Sequence, residues 1–247
     1  MRILLLGGTT EGSALAATLA TQRISAVFSY AGRTANPVPQ PIPQRVGGFG
    51  GADGLATYLT SENITHIIDA THPFAAQISR NAVTASHATG TPLLAYVRPP
   101  WQPQPADRWT QVIDINAAIA ALPAAPTNIF LAIGKQHLAP FIAKPQHHYL
   151  LRLVDAPGDL PLPNATAIIG RGPFTHQNDT ELLRHHAITH IVAKNAGGQG
   201  AVAKITAARA LGLRVILIDR PELPPRQTAQ TIPEVMAWLA HSADLGV

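Results

Sequence analysis

Short apolar runs recur along the chain, each closed by a turn and most followed by a helix-compatible stretch: Ile3 to Leu6, Ala26 to Ser29, Ile64 to Asp69, Leu93 to Val97, Ile129 to Ile133, Ala167 to Ile169, His190 to Ala193 and Val215 to Ile218. A short run without polar alternation is the pattern of a strand covered on both faces, as in a parallel sheet. Between the runs lie Ala-rich segments such as Ser13 to Ala20, Ala75 to Thr89 and Gly200 to Leu211, with Gly90 and Gly212 standing where helices would stop. Strand alternating with helix predicts an α/β fold with parallel sheets flanked by helices.

The pattern also repeats. Leu4-Leu5-Leu6-Gly7 resembles Leu131-Ala132-Ile133-Gly134, Thr65-His66-Ile67-Ile68 resembles Thr189-His190-Ile191-Val192, and the strand ending Arg98-Pro99 resembles the one ending Arg220-Pro221, in the same order and at near-equal intervals. One such match means little, but three in register predict two similar Rossmann-like domains with a cleft between them. The connection is expected in Leu122-Pro123-Ala124-Ala125-Pro126-Thr127, giving domains 1–125 and 126–247. Other Pro gather in Pro37 to Pro43, Pro99 to Pro105, Pro157 to Pro163 and Pro221 to Pro225, stretches that suit loops and cleft walls and exclude central strands.

Composition narrows the chemistry. Hydrophobic residues make up 46% of the 247 and charged residues 13%, which argues against disorder. There is no Cys, so thiolate catalysis, disulfides and Cys-based metal sites are excluded. The apolar start breaks at Gly7-Gly8, too early for a signal segment, and no run approaches the ~20 residues that span a bilayer, so a cytoplasmic protein without membrane contact is expected. Net charge is +4, yet Lys and Arg are scattered and aromatics are only 5%, which speaks against nucleic acid and for a small anionic ligand.

The strongest local signal is Gly7-Gly8-Thr9-Thr10-Glu11-Gly12-Ser13, after the first strand and opening a helix. It is a variant of the dinucleotide fingerprint with Thr9 at the middle glycine position, and Ser13-Ala14 after Gly12 exclude a Walker loop. The second strand ends near Ser29 with no acidic residue to hold the ribose diol of NAD. Ser29 and Arg33 suit a 2'-phosphate instead, favouring NADP. Asp69-Ala70-Thr71-His72-Pro73-Phe74-Ala75 follows a strand, where Thr71 would cap the next helix, Pro73 would sit in its first turn and His72 would face the site. In the second half, Gly170-Arg171-Gly172-Pro173-Phe174 and Lys194-Asn195-Ala196-Gly197-Gly198 place a cation beside glycines after strands, an arrangement that suits an acidic substrate. No Tyr is followed three residues later by Lys, and no Gly-x-Ser-x-Gly elbow occurs. His186 and His190 are four apart but lack the Glu of a zinc-protease helix; His185 and His186 fit a helix end and His190 the next strand, and no metal site is assigned.

Taken in order, the Gly7 to Gly12, Asp69 to Ala75, Gly170 to Phe174 and Lys194 to Gly198 motifs resemble those of the precorrin-6A reductases, including the cobalt-dependent branch, over essentially the whole chain. The resemblance implies NADPH-dependent reduction of one ring double bond of precorrin-6A to give precorrin-6B in corrin biosynthesis, with residues 1–125 binding NADPH and 126–247 binding substrate. It implies cofactor contacts from Gly7, Gly8, Thr9, Thr10, Glu11, Gly12, Ser29, Arg33, Ala70 and Thr71. Substrate contacts would come from His72, Phe74, Arg171, Gly172, Lys194, Asn195, Gly197 and Gly198, with His72, Lys194 or water as the proton donor. Ala196 departs from the Ser expected in many relatives. Remaining alternatives are an NADP-dependent reductase of another acidic molecule, or a non-enzymatic NADP-binding sensor.

Overall fold

Ile3, Leu4, Leu5 and Leu6 are all buried, and their alternation explains the unbroken apolar run: Ile3 and Leu5 join one core, Leu4 and Leu6 another, on opposite faces of one sheet. The computed structural model describes residues 1–32, 36–156, 158–170, 172 and 174–244. The elements run β1 (Ile3–Leu6), α1 (Thr10–Thr21), β2 (Ala26–Tyr30), β3 (Gln44–Val46), α2 (Ala52–Ser61), β4 (His66–Asp69), α3 (Ala76–Thr89), β5 (Leu93–Tyr96), β6 (Arg108–Val112) and α4 (Ile115–Ala120). They continue with β7 (Asn128–Ala132), two 3-10 turns, β8 (His148–Leu153), β9 (Ala165–Ile169), α5 (His176–His185), β10 (His190–Lys194), α6 (Ala203–Leu211), β11 (Arg214–Ile218), β12 (Gln227–Ala229) and α7 (Ile232–Asp244).

The first unit comprises Met1–Pro99 with Pro221–Val247. Its six-stranded sheet has the order β12-β5-β4-β1-β2-β3, and every pairing is parallel. One face packs on Leu15 and Leu19 of α1 and Val235 and Leu239 of α7, the other on Leu55 and Leu59 of α2 and Ala82 and Ala85 of α3. The strand order reverses between β1 and β4, so a crevice opens beyond their C-terminal ends.

The second unit, Pro100–Arg220, has the order β6-β11-β10-β7-β8-β9, again wholly parallel. Leu183 of α5 and Ile205, Ala207 and Ala208 of α6 cover Phe130, Leu150 and Ile191 on one face. The order reverses between β7 and β10.

The boundary expected at Leu122 to Thr127 falls inside this second unit, between α4 and β7. Each half of the sequence gives its last strand to the other half's sheet: β6 pairs with β11, and β12 with β5. Two halves of one topology present equivalent open edges at β5 and β11, and either accepts the other's sixth strand. Sequence periodicity cannot show which edge a strand joins, and β3, β6 and β12 are too short or too exposed to announce themselves as apolar runs. Gly90 and Gly212 do end their helices, in the left-handed conformation. Among the described residues, no helix is long and apolar enough to cross a membrane.

Candidate functional site

At the end of β1 the chain turns through Gly7-Gly8-Thr9 into α1, and each residue has a distinct job. A Cβ on Gly7 would lie 2.0 Å from Phe28 Cζ, so only glycine lets the turn close over that ring. Gly8 takes φ +117° and a Cβ there would meet nothing within 4 Å, which leaves an open backbone surface that a ligand can approach. Thr9 is the N-cap: its Oγ1 accepts from the Gly12 N–H (3.0 Å) and donates to the Ala70 carbonyl (2.8 Å), tying the helix start to the end of β4. Gly12 faces that join, where a Cβ would lie 3.3 Å from Thr9 Oγ1 and 3.5 Å from Ala70. Thr9 therefore serves as a structural clamp at the variant position, and Gly8 supplies the open backbone. The remaining N–H groups at the start of a helix, with its dipole, are suited to a pyrophosphate.

The neighbouring turn after β4 is ordered by Asp69, a carboxylate only 3% exposed. It accepts from the Thr71 N–H (3.1 Å), the Thr71 hydroxyl (2.6 Å) and the Ser79 hydroxyl (2.6 Å). Thr71 is thus bound to Asp69 and does not cap α3; the N-cap is Ala75, and Pro73 precedes the helix in a turn closed by the Ala75 N–H on the His72 carbonyl (2.7 Å). His72 Nδ1 accepts from the Phe74 N–H (3.2 Å), and this bond places the proton of a neutral ring on Nε2. Thr9, Glu11, Thr71, Pro73, Tyr96, Val97 and Arg98 line one depression beside these turns. Glu11 and Arg98 form an ion pair there at 2.5 Å. Burial, followed by the charges of Glu11 and Glu234, pushes the Tyr96 phenol above its usual range and keeps it protonated.

At the outer edge, Ser29 is buried at the end of β2 and lies across from Arg45 of β3, whose Nη1 donates to Ser29 Oγ (2.7 Å). Arg33 lies outside the described residues. Sequence reasoning missed Arg45 because its strand is three residues long and polar.

In the second unit, the turn after β10 is pinned from two sides. The Asn195 amide makes paired bonds with the Trp101 backbone (2.8 and 3.2 Å), and Trp101 Nε1 donates to the Gly198 carbonyl (2.9 Å). Arg220 donates to the carbonyls of Asn195 and Ala196, both at 3.0 Å. Asn195, expected as a substrate contact, is 5% exposed with its amide committed to Trp101, so its role is to hold the turn. Ala196 is buried and its carbonyl serves Arg220. Gly197 and Gly198 take φ +66° and +70°, and Lys194 ends the strand. Arg171 and Pro173 lie outside the described residues, but Gly172 and Phe174 flank them. Phe174 stacks under the Arg152 guanidinium at 3.6 Å, and Arg152 is paired with the buried Asp179.

The chain matches the family described as "Precorrin-6x reductase CbiJ/CobK" over residues 2–240. It belongs to the precorrin-6x reductase family. Within that family it is similar to the precorrin-6A reductase of Rhodobacter capsulatus, with 65% identity over 244 residues covering 98% of this chain and 97% of the relative. The precorrin-6A reductase of Mycobacterium tuberculosis strain H37Rv is 40% identical, covering 97% of each chain. The cobalt-precorrin-6A reductase of Priestia megaterium is 29% identical, covering 97% of this chain and 98% of its own. A solved structure of "CobK precorrin-6A reductase" superposes with a TM-score of 0.96 at 65% identity, covering 98% of this chain and 96% of that one. The parallel strand order seen in both units is therefore the fold of a precorrin-6x reductase.

Proposed function

We propose that this chain reduces precorrin-6A to precorrin-6B with NADPH. The observation that carries the reading is the joining of the open Gly8-Thr9 turn to the β4 turn through the Thr9 to Ala70 bond, which sets a dinucleotide-accepting backbone beside His72. The residues present fit a dinucleotide: Gly7, Gly8, Thr9, Thr10, Glu11 and Gly12 around the pyrophosphate, Ser29 at the ribose, and Ala70 and Thr71 along the crevice, while Arg33, expected from the sequence at the ribose, lies outside the described residues. When bound, the reduced nicotinamide supplies the hydride. The chain's part is to hold the reacting partners in register and deliver a proton to the neighbouring carbon. His72, with its proton on Nε2, and Lys194 are the candidate donors, and Phe74 packs beside His72 with ring centroids 5.8 Å apart. Arg171 and Lys194, with the turns at Gly172, Gly197 and Gly198, would meet the carboxylates of the tetrapyrrole. Precorrin-6A is favoured over its cobalt complex because relatives named for it share 65%, 48% and 45% identity, against 29% for the first cobalt-type relative.

Absorbance titration of the protein with NADPH and with precorrin-6A, followed by turnover of both together, tests the activity. His72→Ala then separates two roles: a large fall in kcat at unchanged KM indicates proton delivery, and a rise in KM alone indicates binding. Arg171→Ala and Lys194→Ala should weaken substrate binding and its salt sensitivity while leaving NADPH affinity intact. Parent-like kinetics in all three variants would remove the site assignment.

A further inference from the structure

We propose that Arg45 recognises the 2'-phosphate of the dinucleotide and thereby sets the preference for NADPH over NADH; this deepens the dinucleotide-binding reading above and rests on it. The β2 to β3 register places Arg45 directly across from Ser29, at the strand edge where the adenosine ribose of a dinucleotide lies.

The guanidinium is held ready by neutral oxygens. Nη1 donates to Ser29 Oγ (2.7 Å) and the Gly47 carbonyl (2.9 Å), and Nη2 to the Gly48 carbonyl (3.1 Å). Its carbon lies 3.9 Å from the centre of the Phe49 ring, with Tyr58 at 5.2 Å behind. Gly47 adopts φ +126°, which lets the turn after β3 curl its carbonyls onto the side chain. Three of the five guanidinium N–H groups are used in this way, leaving Nε–H and one Nη2–H. Ser29 Oγ, buried at the end of β2, accepts from Arg45 and fixes the guanidinium at this edge.

Among the described residues, none forms an ion pair with Arg45; the four pairs formed involve Arg2, Arg98, Arg152 and Arg209. A fixed, uncompensated cation with spare donors, beside a serine hydroxyl, is complementary to a dianionic phosphate ester and gains little from a ribose hydroxyl. The ring beneath it limits the side-chain freedom lost on binding.

The test uses two probes that differ only in that phosphate, adenosine 2',5'-bisphosphate and 5'-AMP, titrated calorimetrically into the whole protein. The parent should bind the bisphosphate more tightly. Arg45→Ala should cut that preference about 10- to 100-fold, the range for a hydrogen bond to a charged group, while 5'-AMP affinity stays level. Arg45→Lys should keep part of the preference, since the charge survives and the fork does not, and an unchanged circular dichroism melt would show that the fold is intact.

Equal loss for both probes would overturn the proposal by showing that Arg45 merely shapes the glycine turn. A preference that survives Arg45→Ala and collapses only in Arg33→Ala would overturn it too, leaving NADPH selectivity in place. A parent protein that binds the two probes equally would remove the NADPH reading itself, and this assignment with it.

Discussion

The two units share one strand order, yet the turns at their C-terminal edges are built from different materials. In the first unit, the turns after β1 and β4 are made of small residues and main chain: Gly7 packs under Phe28, Gly8 is open, and Thr9 and Asp69 hold the backbone in place. In the second unit the corresponding turns carry side-chain cations. Gly134 leads into Lys135-Gln136-His137 after β7, and Lys194 ends β10 above a turn locked by Trp101 and Arg220. A pyrophosphate is met economically by backbone N–H groups close to a helix start, which requires glycine. Carboxylates spread around a macrocycle are met by separate cations, each needing its own support. Equal topology thus leaves edge chemistry free to diverge, and the difference is written in the turns.

The sharpest break in the comparison should come from Arg152. It and Asp179 are 10% and 2% exposed, and Arg152 also stacks on Phe174 and lies beside Gly170, so this pair supports those two residues of the second unit. Arg152→Ala leaves a buried carboxylate uncompensated, a change that costs about 3–5 kcal/mol. We expect a marked fall in the urea midpoint with 5'-AMP affinity retained by the protein that remains folded. If 5'-AMP affinity fell in parallel, the proposed division between a dinucleotide-binding first unit and a substrate-binding second unit would be lost.

Next in size is a matched pair of glycine variants. Gly7→Ala drives a methyl into the Phe28 ring and should cost about 3 kcal/mol or more, with loss of NADPH binding. Gly134 has φ +84° and ψ 150°, a conformation open essentially to glycine alone, with open space around it, so Gly134→Ala carries a backbone penalty of about 1–3 kcal/mol and no clash. Melting temperatures with and without NADPH check both; equal effects would mean that the two first turns are packed alike.

These turns also show how far the sequence could be read. The buried strands β1, β4, β7, β10 and β11 were visible because both faces are covered, and the glycine turn because it follows such a strand. His185 and His186 at a helix end and His190 in the next strand stand as expected. Four features stayed hidden for physical reasons. β3, β6 and β12 carry polar side chains, and β8 is interrupted by Arg152. The exchange of β6 and β12 is a choice between equivalent edges. Asn195 has the letters of a binding residue, and only its bonds to Trp101 reveal a structural one. Arg45 becomes a candidate only once the register sets it against Ser29.

Acid should also separate the units, less abruptly. In the second, burial foremost lowers the pKa of His147, His186 and His190, with further contributions from Lys144 at His147, His185 at His186 and Arg214 at His190. Burial outweighs a weak contact of His147 with the Pro123 carbonyl. In the first unit His66 is shifted in the same direction, by burial and then the charge of the chain's amino terminus. A histidine whose folded pKa lies below 6.5 binds its proton more readily when unfolded, so its contribution is complete above about pH 6.5 and is lost as pH falls toward the folded value. Hydrogen exchange between pH 7 and 5 should therefore show protection falling sooner around β8 and β10 than around β1 and β4. His147→Phe should flatten that slope, and a slope unchanged in this variant would assign it to other groups.

The smallest expected effect concerns the residue that makes the first turn look irregular. Thr9→Gly restores a glycine at the middle fingerprint position, and on letters alone it should improve dinucleotide binding. The geometry predicts otherwise. Thr9 Oγ1 satisfies the Gly12 N–H and reaches the Ala70 carbonyl, and the open backbone is already provided by Gly8. Losing the threonine removes the cap and one bond between the two turns, worth about 1 kcal/mol together. NADPH affinity should stay level or fall slightly as the β4 turn loosens. Thr9→Ser keeps the hydroxyl and should match the parent in both melting temperature and affinity. A Thr9→Gly protein that binds NADPH several-fold more tightly would mean that Thr9 obstructs the phosphates, and that the first unit works by the ordinary fingerprint with one position out of place.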